Sequence, residues 1–239
     1  MKVSLFITCL VDQFRPGVGL AMLRVFDRLG LACDFPAGQT CCGQPARNAG
    51  YEDEARRVGR QFLRAFAGAE AVVAPSGSCV AMVRRHLPAL FAEGSAERAD
   101  ADALAARTHE LSQFLVDVLG VEDVGAEYRR RVTYHDSCHL RRELGVADQP
   151  RRLLARVRGL ELVEMAACDD CCGFGGLFAI TQPDISTAMG AHKLAHAAAT
   201  GAGAIVACDT GCLLHLGGLA ARRGEAIETL HLAEVLGHE

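Results

Sequence analysis

Short apolar runs recur along the chain and alternate with longer segments whose apolar residues return at helical spacing. The short runs are rich in Val, Ile and Leu and predict buried β-strands, whereas the longer segments predict amphipathic helices. The predicted strands lie near residues 2–8, 31–35, 71–75, 131–136, 160–164 and 203–207. The predicted helices lie near residues 17–29, 51–67, 79–91, 109–119, 148–158, 184–199, 212–222 and 228–236. Strands and helices that alternate in this way predict an α/β fold with mainly parallel sheets.

The same pattern occurs twice along the chain. Residues 2–10, "KVSLFITCL", match residues 131–140, "RVTYHDSCHL", and each run leads to a cysteine. Residues 68–82, "GAEAVVAPSGSCVAM", match residues 201–215, "GAGAIVACDTGCLLH", and both contain a buried-strand pattern followed by a turn and a cysteine. Self-similarity of this kind predicts an internal repeat, and therefore two pseudo-symmetric lobes.

The 239 residues divide between these two copies. The segment "GVEDVGAEYRR", residues 120–130, separates the matched halves, so the predicted lobes are residues 1–122 and residues 123–239. Residues 93–108, "EGSAERADADALAART", have no counterpart in the second half and predict an insertion or a solvated helix. A chain of this length is long enough to bury a substantial core.

Cysteines mark equivalent positions in both halves. Eleven are present, and eight of them form a repeated frame: one cysteine, an adjacent pair followed by glycine, and one further cysteine. The first copy is Cys9, Cys41, Cys42 and Cys79, with gaps of 31 and 36 residues, and the second is Cys138, Cys171, Cys172 and Cys212, with gaps of 32 and 39. The first and last cysteine of each copy follow a predicted strand, and the carboxyl ends of parallel strands meet at one edge of a sheet. Each lobe is therefore predicted to gather four thiols around one centre.

Four converging thiolates are typical ligands of zinc or of an iron–sulfur cluster. Structural zinc sites usually take their cysteines as closely spaced pairs, which the long gaps here do not match. Several irons occupy a larger volume, so adjacent cysteines can bind different irons with little strain, and the eight framed cysteines are the predicted metal ligands. Cys33, Cys168 and Cys208 have no counterpart in the repeat and are predicted to lie in the core or near the site, with Cys168 as an alternative ligand.

This frame resembles the cysteine-rich CCG domain, a family that includes the B subunit of heterodisulfide reductase and the iron–sulfur subunit of glycolate oxidase. The two-copy layout without a ferredoxin module, with "YHDSCHLRRELG", "PSGSC" and "DTGCLLHL", is most similar to its stand-alone lactate utilisation proteins of type A. The resemblance implies one or two [4Fe–4S] clusters per chain, bound by the framed cysteines. It also implies an electron-transfer subunit of an oxidoreductase that converts L-lactate to pyruvate, working beside a second iron–sulfur subunit and a third protein.

The chain departs from the family pattern at one position in each copy. Where the family has the first cysteine of a C-x-x-C pair, Ser76 precedes Cys79 and Asp209 precedes Cys212. Four cysteines per lobe favour a cubane cluster or a cluster with one labile iron. Two alternatives stay open. One is a catalytic subunit that binds substrate at a labile iron or reduces disulfides, and the other is a zinc-binding or redox-sensing module.

Other polar residues accompany the frame. Three histidines lie near framed cysteines in sequence: His135, His139 and His215. They are predicted to be satisfied polar residues at element ends, or else to donate hydrogen bonds to cluster sulfur or serve as ligands. Arg141 and Arg142 are predicted on a solvated face or in a salt bridge. His192 and His196, four residues apart, are predicted on an exposed helix face.

Composition excludes several classes of partner. The chain has 25 basic and 29 acidic residues and no basic block, so neither nucleic acid nor a membrane surface is a predicted partner. No stretch reaches the roughly 18 apolar residues of a membrane helix, and Asp12 interrupts the N-terminal apolar run too early for a secretory signal. A cytoplasmic location is therefore predicted. Neither a G-x-G-x-x-G fingerprint nor a P-loop is present. No flavin site is evident either, so hydride abstraction from lactate by this chain alone is not predicted.

Overall fold

In the computed structural model, residues 1–238 form two lobes, each built around a four-stranded sheet whose strands are all parallel. The first sheet has the order β2-β1-β3-β4, with β1 Val3–Leu5, β2 Cys33–Asp34, β3 Ala71–Ala74 and β4 Thr108–Glu110. The second has the order β6-β5-β7-β8, with β5 Glu127–Tyr134, β6 Arg158–Leu162, β7 Ala204–Ala207 and β8 Glu228–His231. The two orders are equivalent, so the predicted α/β fold of two pseudo-symmetric lobes is confirmed. Glu239, which ends the predicted second lobe, lies outside the described residues.

Helices cover both faces of the sheets. In the first lobe they are α1 Cys9–Phe14, α2 Pro16–Arg28, α3 Gln44–Asn48, α4 Glu52–Phe66, α5 Gly77–Ala81, α6 Ala96–Ala106 and α7 Leu111–Gln113. In the second lobe they are α8 Asp148–Leu154, α9 Leu177–Thr181, α10 Pro183–Ala199, α11 Thr210–Arg223 and α12 Leu232–Leu236. Turns of π-helix span Met82–His86, Phe114–Val118 and His139–Glu143, and a 3₁₀ turn spans Pro88–Leu90. Among residues 1–238, no helix combines the length and the apolar character needed to cross a membrane.

Six of the eight strands within residues 1–238 were predicted, and the two that were missed, β4 and β8, each lie at one edge of a sheet. The central strands β3 and β7 are buried along their whole length, as expected for parallel strands covered on both faces, and both were predicted. The edge strands β4 and β8 carry polar residues, "THE" and "ETLH", and the prediction of helix from residues 109 and 228 is wrong there. The helices begin later, because the side chains of Glu110 and His231 cap them by accepting backbone N–H groups of the first turn.

The segment without a counterpart in the second lobe forms an inserted helix, α6, which is one of the two predicted forms, and only its outer face is solvated. Ala101, Leu104 and Ala105 on its inner face are buried, and Leu104 belongs to the same hydrophobic cluster as Phe62. The outer face is charged, with an Arg98–Asp102 ion pair at 3.0 Å. Three small or medium apolar residues are enough to attach a helix when they share one face, and the many charges of this segment conceal that face in the sequence.

The last helix of each lobe packs on the other lobe. Helix α12 of the second lobe lies against α2 of the first, where Arg24 Nε donates to the carbonyl oxygen of Gly237 at 2.9 Å. Helix α7 of the first lobe, with the π-helical turn that continues it, lies against α8 of the second. One hydrophobic cluster consequently runs through both lobes and includes Val25 of α2 and Leu236 of α12. The predicted boundary between residues 122 and 123 stays a prediction.

Candidate metal centres

All eight framed cysteines line one cavity, of about 230 Å³, between the two lobes. The first cysteine of each copy opens a helical turn just after a strand, at Cys9 in α1 and at Cys138 before the π-helical turn. The last cysteine of each copy, Cys79 or Cys212, lies in the first turn of α5 or α11, again just after a strand. The adjacent pairs lie on the intervening loops. The structure thus brings both four-cysteine sets to one place, while their role as metal ligands stays a prediction.

In the first lobe the thiols contact one another in pairs. The Sγ atoms of Cys9 and Cys41 are 3.8 Å apart, and those of Cys42 and Cys79 are 3.4 Å apart. The Gly43 N–H donates to Cys41 Sγ at 3.4 Å. The pKa of Cys41 is lowered to about 2, because the thiols of Cys42 and Cys9 and this N–H stabilise its thiolate, whereas donation and burial raise the pKa of Cys9. The set therefore favours a thiolate that a cation could bind.

The second lobe repeats this arrangement. The Gly173 N–H donates to Cys171 Sγ at 3.4 Å, and the N–H of the next residue donates to Cys172 Sγ at 3.5 Å. The thiols of Cys138 and Cys172 lower the pKa of Cys171 to about 2. The pKa of Cys212 is lowered to about 6, chiefly by the Cys172 thiol. In both lobes the thiol that becomes anionic most easily is the first of the adjacent pair.

The glycines after the cysteine pairs are required by the backbone. Gly43 and Gly173 have φ values of +89° and +92°, a conformation that residues with a Cβ rarely adopt. A Cβ on Gly173 would also lie 2.4 Å from the carbonyl oxygen of Ser186, whereas a Cβ on Gly43 would meet its nearest neighbour, the Ala55 oxygen, at 3.5 Å. The glycine lets each loop turn back so that its own N–H reaches the first thiol of the pair.

The residues at the cavity fit a metal centre bound by sulfur. Each lobe offers four thiols from separate segments, which equals the four cysteines that hold a [4Fe–4S] cluster. Backbone N–H groups already point at two of these sulfurs in the second lobe, as expected where anionic sulfur must be stabilised. Zinc also accepts four thiolates, so the donor set fits a metal or iron–sulfur cofactor without deciding between them.

The three histidines occupy different positions around the second set. His135 is fully buried, and one of its ring nitrogens lies within 4.8 Å of the Sγ atoms of Cys172 and Cys212. His139 Nδ1 lies 3.5 Å from the Sγ of the preceding cysteine. His215 Nε2 lies 3.3 Å from the backbone oxygen of Ser186 on α10. Two of the three therefore approach thiols, whereas His215 has a backbone partner.

The same positions in the first lobe are apolar. The repeat aligns His135 with Phe6, His139 with Leu10, and the third histidine with Met82. Phe6 is fully buried and packs edge-on against Phe62, with ring centroids 4.8 Å apart. Sequence reasoning noticed the histidines but missed this contrast. The contrast can be read from the sequence, because aligning the two repeats pairs each histidine of the second half with an apolar residue of the first.

A polar contact joins the lobes beside the cavity. Ser76 and Asp209, which align in the repeat and stand where the family has an additional cysteine, form an isolated antiparallel bridge with each other. Asp209 Oδ1 accepts hydrogen bonds from Ser76 Oγ at 2.8 Å and from Ser78 Oγ at 2.7 Å, and Asp209 is almost fully buried. The missing cysteines are thus replaced by a hydrogen-bonded connection between the lobes, which sequence reasoning did not predict.

The cysteines outside the frame lie apart from the cavity. Cys33 is half-buried in β2. The Sγ of Cys168 lies 3.5 Å from a carboxylate oxygen of Asp136. Cys208 is fully buried at the end of β7, where its Sγ lies 3.3 Å from the Tyr134 hydroxyl. None of the three lines the cavity within residues 1–238. Cys208 lies in the core, while the alternative role of Cys168 as a ligand stays a prediction.

The remaining charged and histidine residues have local roles. Arg141 forms a salt bridge with the buried Asp136 at 2.7 Å, which is one of the two roles predicted for it. Arg142 donates to the backbone oxygen of Asp169. On α10 the Nε2 atoms of His192 and His196 lie 3.2 Å apart; His192 is exposed and His196 is half-buried.

Comparison with known proteins gives a consistent result. A sequence profile described as the cysteine-rich domain, CCG, matches residues 3–84 and 132–217. The chain is 52% identical over 236 residues to "Lactate utilization protein A" of Geobacillus kaustophilus, which covers 99% of this chain and 98% of that protein. It is 49% identical over 238 residues to the protein of the same name from Geobacillus thermodenitrificans, which covers 100% of this chain and 99% of that one.

A solved structure shares the fold. The crystal structure of a hypothetical protein from Helicobacter pylori superimposes with a TM-score of 0.65 at 9% sequence identity. The superposition covers all of this chain and 49% of the other, so this chain spans about half the length of that protein. At this level of identity the likeness concerns the two-lobed α/β architecture alone.

Proposed function

This chain belongs to the cysteine-rich domain family, and from that premise we propose that it is an iron–sulfur, electron-transfer subunit of a lactate-oxidising system. In this proposal the lobe of residues 1–122 and the lobe of residues 123–239 each hold one [4Fe–4S] cluster. The observation that supports it is the convergence of eight thiols, four from each lobe, on one cavity between the lobes. Two sets of four thiols match the ligand count of two such clusters.

The chain's own residues would perform three tasks. The thiolates of Cys9, Cys41, Cys42 and Cys79, and those of Cys138, Cys171, Cys172 and Cys212, would bind the irons. The N–H groups after each adjacent pair would stabilise the anionic sulfur. The buried Ser76–Asp209 bridge would hold the two sets at a fixed separation. A cluster bound in each lobe would supply one-electron transfer.

The substrate and partners follow from the relatives. Proteins named "Lactate utilization protein A" share about half of their residues with this chain over its full length. We therefore propose that the electrons derive from the oxidation of L-lactate to pyruvate, and that a second iron–sulfur subunit and a third protein complete the system. All eleven cysteines are free thiols, which suits a reducing compartment, so the proposal places the protein in the cytoplasm.

The first experiment measures iron and acid-labile sulfide per chain on protein purified without oxygen, together with an EPR spectrum of the dithionite-reduced sample. We expect about four irons and four sulfides per lobe, hence about eight of each per chain. Replacing Cys41 or Cys171 by Ser should remove about half of the iron and sulfide, because each variant disables one lobe. Cys33→Ser is the matched control, since this half-buried thiol lies outside both sets and its loss should leave iron unchanged.

Stoichiometric zinc without sulfide, after the same anaerobic preparation, would contradict the proposal and favour a structural or redox-sensing metal site. Unchanged iron in both cysteine variants would contradict the ligand assignment alone. The two outcomes are separable, because the first concerns the kind of metal and the second concerns the residues that bind it.

A second candidate function is suggested by the cavity itself. Both cysteine sets face the same space, which is also lined by polar residues such as Ser78 and Thr210. A small substrate could bind between the two centres and be transformed there, with the chain as a catalytic subunit rather than a carrier. A change in the EPR or absorption spectrum of the isolated, loaded protein on addition of a small disulfide or of lactate would favour this function. An unchanged spectrum would favour the carrier.

A further inference from the structure

His135 is a buried side chain whose polar atoms lack partners. It is fully buried at the end of β5, and within the described part of the chain neither ring nitrogen has a hydrogen-bond partner. A buried donor without a partner destabilises the fold, so such a group in a folded protein calls for an explanation, such as a bound ion or a redox role. The nearest ligand atoms are the Sγ atoms of Cys172 and Cys212, with all three atoms within 4.8 Å of one another.

The other lobe shows what this position looks like without a polar group. Phe6 occupies the equivalent site, and the backbone N–H groups of Phe6 and His135 donate to equivalent carbonyls, those of Val73 and Val206, both at 2.9 Å. The backbone hydrogen bond at this position is therefore the same in both lobes, while the side chain differs. Phe6 directs its ring into an aromatic cluster and offers no donor. The first lobe packs well with an apolar ring at this position, so packing alone does not require a histidine in the second lobe.

We infer that His135 donates its ring N–H to sulfur of the metal centre in the second lobe, at Cys172 and Cys212, and that the first lobe lacks this bond. The inference rests on the proposed function, because it needs a sulfur-ligated cluster in each lobe. It predicts that the two centres, although held by the same frame of cysteines, differ in reduction potential. The centre of the second lobe is the one that is easier to reduce.

The direction follows from electrostatics. Reduction adds negative charge to a cluster, and this charge spreads over its sulfur atoms. A hydrogen bond to sulfur stabilises the reduced form more than the oxidised form and so raises the reduction potential. An electron shared between the two centres therefore resides mainly in the second lobe, beside His135, rather than in the first lobe, beside Phe6.

The other two histidines of the second lobe are placed differently. Its four cysteines already equal the four irons of the proposed cluster, so a nitrogen that approaches the sulfurs acts as a donor to them and not as a fifth ligand. His139 Nδ1 lies 3.5 Å from the Sγ of Cys138, so His139 would shift the potential in the same direction, but its Nε2 is also 3.4 Å from Gln44 and 3.6 Å from a carboxylate oxygen of Glu143. His215 is bonded to α10. His135 alone among the three is fully buried and has no partner within residues 1–238.

The experiment is a redox titration of the cluster-loaded protein, followed by EPR, on wild type, His135→Phe, His135→Gln and the control His196→Phe, which lies on α10 and does not line the cavity. We expect two midpoint potentials in the wild type. In His135→Phe the higher midpoint falls, so that the equilibrium between the centres changes by about tenfold, which is 59 mV for one electron. His135→Gln retains an N–H donor and should preserve part of the gap, and His196→Phe should preserve all of it.

The outcomes separate this inference from the proposed function. Full iron and sulfide in His135→Phe with an unchanged gap between midpoints would overturn the inference and leave the electron-carrier proposal intact. Absence of clusters in the wild type would overturn the proposed function itself. If His135→Phe fails to fold, wild-type protein labelled with ¹⁵N-histidine still decides by pulsed EPR. A weak histidine nitrogen coupling at the more easily reduced centre supports the inference, whereas a strong coupling, which indicates direct ligation, or no coupling would overturn it.

Discussion

The two lobes carry the same frame of cysteines but surround it with different side chains. In the first lobe the neighbours are apolar, namely Phe6, Leu10 and Met82, and in the second they are His135, His139 and His215. Both lobes keep the strand order, the glycine of positive φ and the N–H that reaches the first thiol of the pair. The backbone repeat therefore fixes where the thiols lie, while the surrounding side chains are free to make the two cysteine sets chemically different.

The largest expected difference between the lobes concerns the glycine after each cysteine pair. Gly173→Ala should destabilise the protein by about 4 kcal/mol, because the new Cβ would combine a strained φ with a contact of 2.4 Å to a backbone oxygen. Gly43→Ala has the same strain without the clash, since its nearest contact is 3.5 Å, and should cost about 1 kcal/mol. Chemical denaturation of both variants measures the difference. Equal losses would show that the second loop relaxes and that the lobes are less distinct than the structure indicates.

A second comparison concerns the residues that cap α7 and α12. Glu110 accepts the Ser112 N–H at 2.7 Å, and His231 Nδ1 accepts the Ala233 N–H at 3.1 Å while its Nε2 donates to the carbonyl of Pro75 at 3.0 Å. Both side chains are fully buried. Burial raises the pKa of Glu110 from 4.5 to about 7 and lowers the pKa of His231 from 6.5 to about 4. The lobes thus place opposite ionisable groups at equivalent positions.

These two shifts have opposite effects on stability. Glu110 binds a proton more tightly in the folded state, so its contribution is full below pH 4.5 and is lost as the pH rises towards 7. His231 binds a proton less tightly when folded, so its contribution is full above pH 6.5 and is lost as the pH falls towards 4. Between about pH 4.5 and pH 6.5 the two groups change the free energy of unfolding with pH in opposite directions, so their effects cancel in the wild type.

Replacing either group should expose the pH dependence that the other group gives to the free energy of unfolding. In Glu110→Gln the free energy of unfolding, relative to wild type, should rise by about 3 kcal/mol as the pH increases from 4.5 to 7. In His231→Gln, relative to wild type, it should fall by about the same amount as the pH increases from 4 to 6.5. Denaturation curves over this range test both. Parallel curves for a variant and wild type would mean that the replaced group does not change its proton affinity on folding.

The smallest expected effects concern the polar bridge between the lobes. Asp209→Ala should cost about 2 kcal/mol, because it leaves the hydroxyls of Ser76 and Ser78 without their shared acceptor in a buried place. Ser76→Ala should cost about 1 kcal/mol, since Asp209 keeps the hydrogen bond from Ser78. Thermal and chemical denaturation provide the measurement. A larger loss for Ser76→Ala than for Asp209→Ala would contradict the assignment of Asp209 as the common acceptor.

The sequence predicts those features that local patterns determine. The central strands, the α/β class and the position of the thiols at strand ends follow from short apolar runs and from cysteines placed just after them. The edge strands β4 and β8 do not, because they are short and polar and gain their order from a neighbouring strand. The Ser76–Asp209 bridge joins residues 133 positions apart, and no local signal marks such a contact. His135 was noticed, but its isolation from other partners depends on how the second lobe packs around it.

The exchange of terminal helices has a consequence for the order of biosynthesis. Helix α2 is synthesised early, yet its face with Ala21 and Arg24 is covered by α12 and Gly237, which the ribosome makes only after both sheets. The first lobe therefore cannot complete its packing while it emerges, although proteins commonly fold their N-terminal parts first. During synthesis the first lobe is not yet fully packed when metal becomes available. Both cysteine sets should therefore bind metal only after α12 has been made. Chains truncated before α12 should bind metal weakly in both lobes.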